Sequence, residues 1–229
     1  MITVHHLENS RSQRVLWLLE ELGTPYTVKR YARHPKTMLA PPELKAVHPL
    51  GKSPVITDDG TVVAESGAIV EYLCEVHGQG HGQGRLKPAA GTPEARRFTY
   101  WLHFAEGSLM PPLLVALIFA KVKSAPVPFF VKPIVKGIAA QVHKAYIDPN
   151  VNSLLAFMEA ELATREWFAG DEFTAADVQM SYPVEAAAAG RAGFSAQSHP
   201  KLHAWLLRCQ ARPAYQRALA AGGPYSVIP

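Results

Sequence analysis

Residues 53–73, SPVITDDGTVVAESGAIVEYL, are the stretch that decides the fold. The first half predicts a β-hairpin, because two runs rich in β-branched residues flank an Asp59-Gly60 dipeptide, which is typical of tight turns. The second half predicts a helix that Ser66 caps. Pro54 enters the first strand without the N–H that a strand ladder uses. The stretch therefore predicts a hairpin that leads straight into a helix.

The Ser53-Pro54 dipeptide leaves two interpretations open. In the first, the bond between the two residues is cis, since the cis form before proline costs only about 0.5–1 kcal/mol. Such a turn exposes the amide and carbonyl of Ser53, with which a peptide-like ligand can pair as an added strand. In the second, Pro54 simply marks an edge strand.

The Glu65-Ser66 pair also has two interpretations. A helix N-terminus has free N–H groups and binds anions, so a carboxylate would lie at Ser66. Glu65 beside it offers an acceptor for an ammonium group. Together they suit the head group of an α-amino acid, which carries both charges. The alternative is a helix cap preceded by a solvated acid.

Together with the residues that precede it, the quoted stretch is predicted to form a small mixed-sheet domain, residues 1–78. Segments 1–7 and 25–32 alternate as strands do. Between them, 12–22 has apolar residues at helical spacing, and Gly23 is a natural stop. A short helix is expected between the second strand and the hairpin. The predicted order is therefore β-α-β-(α)-β-β-α.

The remainder of the chain is predicted to be a second, all-helical domain. Glycine-rich residues 79–92 have the composition of a linker. Residues 93–229 then show helical periodicity without strand patterns. Two helix-start patterns lie at or within this half, Thr92-Pro93-Glu94 and the capping box Thr174-x-x-Asp177.

Composition restricts the function classes. The chain has 229 residues, 48% apolar, and a net charge of +4 with scattered basic residues, which argues against nucleic-acid binding. The most apolar segment, within 109–137, is interrupted by lysines and prolines, so no membrane span is expected. Cys74 and Cys209 lie far apart and form no CxxC pair, and the ten histidines show no metal-ligand spacing. We expect a cytoplasmic protein without a bound metal.

In combination, Ser53-Pro54, Glu65-Ser66 and Thr174-x-x-Asp177, in this order and spacing, resemble the glutathione transferase family. The resemblance covers almost the whole chain, and HHLENSRSQRVLWLLEELG, residues 5–23, looks most like a bacterial and fungal branch. It implies an α/β thioredoxin-like N-terminal domain plus an all-α C-terminal domain. It also implies glutathione as co-substrate, a hydrophobic electrophile or organic hydroperoxide as second substrate, and a homodimer.

The resemblance implies a role for each matching position. Ser53 would hold the cysteinyl part of glutathione through its backbone, with Pro54 in cis. Glu65 and Ser66 would hold the γ-glutamyl head group. Lys52 matches a loop position that often reaches glutathione. Thr174 and Asp177 match a buried helix cap, which serves folding rather than catalysis.

In serine-type members of this family, the activating hydroxyl lies four residues before an arginine of the first helix. Counting back from Arg14 gives Ser10. A hydrogen bond to a charged group contributes roughly 1.5–3 kcal/mol, and one pKa unit corresponds to about 1.4 kcal/mol. With the helix N-terminus, Ser10 would lower the thiol pKa by about one to two units from about 8.5. Asn9, Arg11 and Ser12 are the alternatives for this role.

For the second substrate, Tyr100, Phe104 and Ser108 lie on one helical stripe and are expected to line the cleft. The alternative is that the aromatic residues of this helix are core. Two other functions remain open. One is a non-catalytic protein on the same fold that binds glutathione or a lipophilic ligand. The other is a glutathione-dependent disulfide reductase, against which the missing CxxC argues.

Overall fold

The structure is a computed structural model that describes residues 1–78 and 86–227. Its sheet has the order β2-β1-β3-β4, with β1 parallel to β2 and antiparallel to β3, and β3 antiparallel to β4. The four strands are β1 (Ile2–Leu7), β2 (Tyr26–Tyr31), β3 (Val55–Asp58) and β4 (Thr61–Ala64). The strands predicted from the sequence are confirmed.

Three helices accompany the sheet: α1 (Ser12–Leu22), α2 (Glu43–Val47) and α3 (Ser66–Val76). Helix α1 ends at Gly23, whose φ of 65° lies in the left-handed region that glycine adopts without strain. Side chains alternate between the two faces of β1. Ile2 and Val4 pack in the large core with α1 and α3, whereas Leu7 packs with Leu44 of α2 on the opposite face. His6 therefore belongs to the α1 face of the strand.

The second half is helical, as predicted. Its α-helices are α4 (Pro93–Phe104), α5 (Met110–Ser124), α6 (Lys132–Val142), α7 (Asp148–Ala163), α8 (Ala175–Ala186), α9 (Pro200–Gln210) and α10 (Pro213–Gly222). π-Helical turns at 105–109, 143–147 and 187–191 follow α4, α6 and α8. Part of the expected linker, 79–85, lies outside the described residues, and 86–92 contain no helix or strand. The domain boundaries stay predictions.

Both helix-start patterns are confirmed. The Thr92 hydroxyl accepts from the Ala95 amide at 3.1 Å at the start of α4. Thr174 and Asp177 form the capping box of α8, and the Asp177 carboxylate also accepts from the Phe168 amide at 3.0 Å and the Trp205 indole at 2.9 Å. Asp177 is completely buried. This carboxylate therefore ties α8 to α9 and to the loop before it.

Helix α1 joins the two halves. Its Trp17 packs edge-on against Tyr215 of α10, with ring centroids 5.1 Å apart. The Trp17 indole donates to Glu21 at 2.8 Å, and Arg212 donates to the same carboxylate at 2.5 Å. The helical half therefore holds α1 firmly, and with it the chain that leads from β1 into α1.

Within the described residues, the continuous helical segment 93–124 is long and apolar enough to span a membrane by length and composition. Its most apolar stretch has a mean hydropathy of 1.5, and 44% of that stretch is buried inside the protein. Core helices pass the same test, so this single segment is weak evidence for a membrane span.

Candidate functional site

Strand register brings the three predicted segments to one end of the sheet. His5 of β1 lies opposite Val55 of β3, and Val55 lies opposite Ala64 of β4. The residues that follow β1, those that precede β3 and those that follow β4 consequently share that end. These are the loop 8–11, the Ser53-Pro54 turn and the Glu65-Ser66 start of α3.

The Ser53-Pro54 bond is cis, which confirms the first interpretation of this dipeptide. The Ser53 hydroxyl donates to the His5 carbonyl at 3.0 Å and accepts from the Leu7 amide at 3.4 Å, so it fastens the turn to the end of β1. Within the described residues, no hydrogen bond uses the amide or carbonyl of Ser53. Lys52 is exposed beside the turn. The turn therefore offers unpaired backbone groups where an added strand would lie.

The expectation that Ser66 caps α3 is wrong. Ser66 is the first helical residue, and Glu65 before it takes the cap position with a φ of 72° and no side-chain cap bond. The Glu65 carbonyl accepts from Ile69 at 2.9 Å. A positive φ of this kind costs about 1–3 kcal/mol in a residue other than glycine. The first amides of α3 thus stay uncapped by any side chain, beside an exposed carboxylate.

Two serines at the start of α1 differ in accessibility. Ser12 is 0% exposed, and its hydroxyl lies within 2.9 Å of His6 Nδ1 and 2.7 Å of the Ser10 hydroxyl. Ser12 is therefore neither the helix cap nor able to touch a ligand, which corrects its candidacy. Arg11 takes the N-cap position of α1 without a side-chain cap bond. Ser10 is 4% exposed, and its hydroxyl accepts from the Ser12 amide, the first amide of the helix, at 3.2 Å.

The other two candidates of this loop are held by their neighbours. Asn9 has a φ of 49°, and its side-chain oxygen accepts from the Ser226 amide at 2.9 Å. Arg11 donates from Nε to the Glu106 carboxylate at 3.1 Å and lies over the Tyr182 ring. The side chains of Asn9 and Arg11 thus bind other groups of the protein, whereas the Ser10 hydroxyl can donate its hydrogen either to Ser12 or to a ligand. Arg33 also donates to the Asn9 carbonyl at 3.2 Å and fixes this loop.

Glu106 is a site residue that the sequence did not reveal. It lies in the π-helical turn after α4, and its carboxylate accepts from both Arg11 and the buried Arg14. Burial opposes ionisation, but the guanidinium groups of Arg14 and Arg11 lower the pKa of Glu106. The negative carboxylate compensates the buried Arg14, whose Nη1 donates to the Gln179 carbonyl at 2.6 Å. No local sequence signal pairs positions 92 residues apart.

Of Tyr100, Phe104 and Ser108, which were expected to line the cleft, only Phe104 is buried. Phe104 is 6% exposed and packs against Trp101 and Phe157, with centroids 4.8 Å and 5.8 Å away. Phe104 is therefore core, and its expected place in the cleft is wrong. Tyr100 shares the contact with Phe157 at 6.3 Å. Ser108 is exposed, and its role in binding a second substrate stays a prediction.

Neither cysteine has the properties of a nucleophile. Burial raises the pKa of the Cys74 thiol to about 12. Cys209 is completely buried, and burial raises its pKa as well. In the described part of the chain, no group of three or more histidines, cysteines or acids is placed to hold a metal ion. The site thus consists of hydroxyls, backbone groups and one carboxylate–guanidinium cluster.

Models of two protein domains match this chain. The model described as the N-terminal domain of glutathione S-transferase matches residues 10–76. The model described as the C-terminal domain of glutathione S-transferase matches residues 124–213. The first match begins at Ser10, within the loop 8–11, and includes the Ser53-Pro54 turn and the Glu65-Ser66 start of α3.

Similarity to individual known proteins covers nearly the whole chain. Glutathione S-transferase 3 of Schizosaccharomyces pombe is 36% identical over 93% of this chain and 85% of its own. Glutathione S-transferase 1 of Saccharomyces cerevisiae is 31% identical over 98% of both chains. A solved glutathione S-transferase from Actinobacillus pleuropneumoniae has a TM-score of 0.77 and 31% identity, covering 96% of this chain and 92% of its own.

Proposed function

Because this chain belongs to the glutathione S-transferase family and is a glutathione transferase, we propose that it binds the tripeptide along the Ser53-Pro54 turn and activates its thiol at Ser10. The Ser53 amide and carbonyl pair with the cysteinyl unit. The γ-glutamyl head group lies at the start of α3, with its carboxylate on the uncapped amides and Ser66 and its ammonium on Glu65. Lys52 attracts the other carboxylate.

The observation that carries this proposal is the convergence of unpaired groups at one end of the sheet. Ser53 has an amide and a carbonyl without a partner in the described residues, and α3 begins without a side-chain cap. A tripeptide with an extended backbone and an amino-acid head satisfies both at once. The sulfur of such a ligand then points toward the end of β1, where Ser10 lies.

Activation requires no base in this arrangement. A thiolate is the nucleophile, and a hydroxyl that donates a hydrogen bond to it favours the charged form. The start of α1 adds the partial positive charge of a helix N-terminus. The thiolate then forms a C–S bond with a hydrophobic electrophile, which expels its leaving group or takes up a proton. With an organic hydroperoxide, the thiolate attacks the outer oxygen, the O–O bond breaks and the alcohol leaves. The resulting glutathione sulfenic acid condenses with a second glutathione to give the disulfide and water. The buried thiols of Cys74 and Cys209 argue against a disulfide reductase that uses its own cysteines.

Replacing Glu65 separates binding from stability. Glu65→Gly relieves a positive φ, which offsets the chain entropy that glycine adds, so we expect the free energy of unfolding to change by less than about 1 kcal/mol. Loss of the carboxylate removes a charge-assisted bond to the ammonium, and we expect glutathione affinity to fall about tenfold or more by calorimetry.

Asp59→Gly is the matched control for this experiment. Asp59 also has a positive φ, 44°, and lies at the opposite end of the same hairpin. This variant should bind glutathione like the wild type. A well-folded wild type that takes up no glutathione, or a Glu65→Gly variant with full affinity, would contradict the proposed binding mode.

The homodimer is proposed on the apolar side chains that α5 and α6 leave exposed. Ile134 and Ile138 of α6 are 62% and 54% exposed. Because they are four residues apart, they lie on one face of the helix. Leu114 and Ile118 show the same spacing on α5 and are 48% and 49% exposed. An exposed apolar surface of this kind is typical of a protein–protein contact.

A cytoplasmic location is proposed on the two free thiols.

We expect Ile118→Asp to convert a dimer into a monomer, because it places a charge where the contact is apolar. Light scattering after size-exclusion chromatography measures the mass directly. Ser124→Asp, at the exposed end of the same helix, adds the same single negative charge outside the apolar stripe and should leave the mass unchanged. A monomeric wild type, or an Ile118→Asp variant that remains dimeric at equal concentration, would reject this surface.

A further inference from the structure

A chain of hydrogen bonds runs from β1 to the hydroxyl of Ser10. His6 Nδ1 lies 2.9 Å from the Ser12 hydroxyl, which lies 2.7 Å from the Ser10 hydroxyl. All three side chains are buried between β1 and the start of α1. The three groups therefore act as one unit, and the hydrogen position of each hydroxyl depends on its neighbour.

The Ser12 hydroxyl also lies 3.4 Å from the Leu7 carbonyl, a longer contact than those to His6 and Ser10. Among the three side chains, the hydrogen bonds can run in two directions with opposite consequences. If His6 Nδ1 accepts, the Ser12 hydroxyl donates to it, and the Ser10 hydroxyl is drawn toward the Ser12 oxygen. If His6 Nδ1 carries the hydrogen, it donates to Ser12, and Ser12 donates to Ser10. The Ser10 oxygen is then already an acceptor from Ser12, so its own hydrogen is free to point at a ligand.

We propose that His6 is a positioning residue, whose Nδ1–H tautomer directs the hydroxyls of Ser12 and Ser10 so that Ser10 donates to the bound sulfur. This inference rests on the proposed function, because it requires Ser10 to be the group that meets the thiol. His6 itself touches no substrate. It acts through Ser12, and its contribution is to keep the Ser10 hydrogen available.

The surroundings of His6 favour this tautomer. Burial, and then the charge of Arg30, lower the pKa of His6 to about 4, so the ring is neutral at neutral pH. Within the described residues, Nε2 of His6 takes no hydrogen bond, and the residue lines a cavity of about 520 Å³ together with Arg30. A guanidinium only donates, so its charge favours a lone pair on Nε2 and therefore the hydrogen on Nδ1.

The tautomer can be tested without glutathione. In protein with 15N-labelled histidine, the His6 resonances, assigned through a His6→Leu variant, should show a protonated Nδ1 and an unprotonated Nε2. The reverse assignment would overturn the proposal, whatever the protein does with glutathione. Calorimetry on the same wild-type sample shows separately whether the proposed function holds.

Variants test the consequence for the thiol. His6→Leu removes the donor, so the thiol pKa of bound glutathione should rise by about one unit. In a plot of rate against pH, the rise that reflects thiol ionisation should shift upward by the same one unit. His6→Asn keeps an N–H group near the Nδ1 position and should restore most of the shift. A folded His6→Leu variant with wild-type thiol pKa, or an Asn variant no better than Leu, would contradict the proposal.

His5 provides the matched control. It is the neighbouring buried histidine, but it lies on the other face of β1, where Nδ1 bonds the Tyr31 hydroxyl at 2.9 Å. His5→Leu should lower stability to a similar extent and leave the pKa of bound glutathione unchanged. An equal pKa shift in both variants would mean that His6 acts through packing alone.

Discussion

Replacement of Ser10 by alanine should lower kcat/KM for glutathione conjugation about 10- to 100-fold near neutral pH. The hydroxyl donates a hydrogen bond to a charged sulfur, and such a bond contributes about 1.5–3 kcal/mol, equivalent to about one to two pKa units. The pKa of bound glutathione should accordingly rise toward about 8.5, the value of a free thiol. Thiolate absorbance against pH and steady-state kinetics with a chloronitrobenzene electrophile measure both effects.

The pH dependence of the loss identifies its cause. Below the wild-type pKa both enzymes hold mostly thiol, and the rate ratio reflects the full pKa difference. Above the variant's pKa the thiol is ionised in both, so the Ser10→Ala rate should approach that of the wild type. If kcat/KM fell by the same factor at every pH, the cause would be a misplaced substrate and not a raised pKa of the glutathione thiol.

The Ser10 hydroxyl also accepts from the Ser12 amide at the start of α1, so a control must account for the loss of that bond. Thr92→Ala removes the cap of α4, in the helical half of the chain. Either loss should cost about 1 kcal/mol of stability. Thr92→Ala should leave the thiol pKa and kcat/KM unchanged, whereas an unchanged thiol pKa in Ser10→Ala would transfer the role to another residue of the loop.

The largest effect on stability is expected at Asp177. Its carboxylate is completely buried and accepts from the amides of Phe168 and Thr174 and from the Trp205 indole, all at 2.9–3.0 Å. Asp177→Ala leaves these donors buried without an acceptor, and each such donor costs about 1–3 kcal/mol. We expect the free energy of unfolding to fall by about 3–5 kcal/mol in urea denaturation.

Asp171→Ala is the matched control, since Asp171 is an exposed acid in the loop that precedes α8. A change of less than about 0.5 kcal/mol is expected there. Asp177→Asn keeps the shape but places donor against donor, so it should lose much of the same stability. Because Asp177 serves folding, each folded variant should retain wild-type glutathione affinity at low temperature. An Asp177→Ala variant as stable as wild type would refute this account.

Predictions that depended on short stretches of sequence were largely confirmed. The hairpin, the helix after it and the caps at Thr92 and Thr174 follow from turn residues and side-chain periodicity. The cis bond before Pro54 was one of two interpretations that the sequence left open, and the structure decides for it. The cap assigned to Ser66 failed, because the tight corner after β4 gives that position to Glu65 in a left-handed conformation. A local rule does not include the geometry of such a corner.

The sequence by itself determined the family, the two-part architecture and the three segments that we propose bind the tripeptide, since periodicity and turn chemistry are local properties of the chain. Only the tertiary structure decided that Ser12 is buried, that Phe104 is core, and that Glu106 neutralises Arg14 and Arg11. It also brought His6 beneath Ser12. Which side chains meet depends on how helices and sheet pack, and distant positions on the chain carry no mutual signal in one sequence.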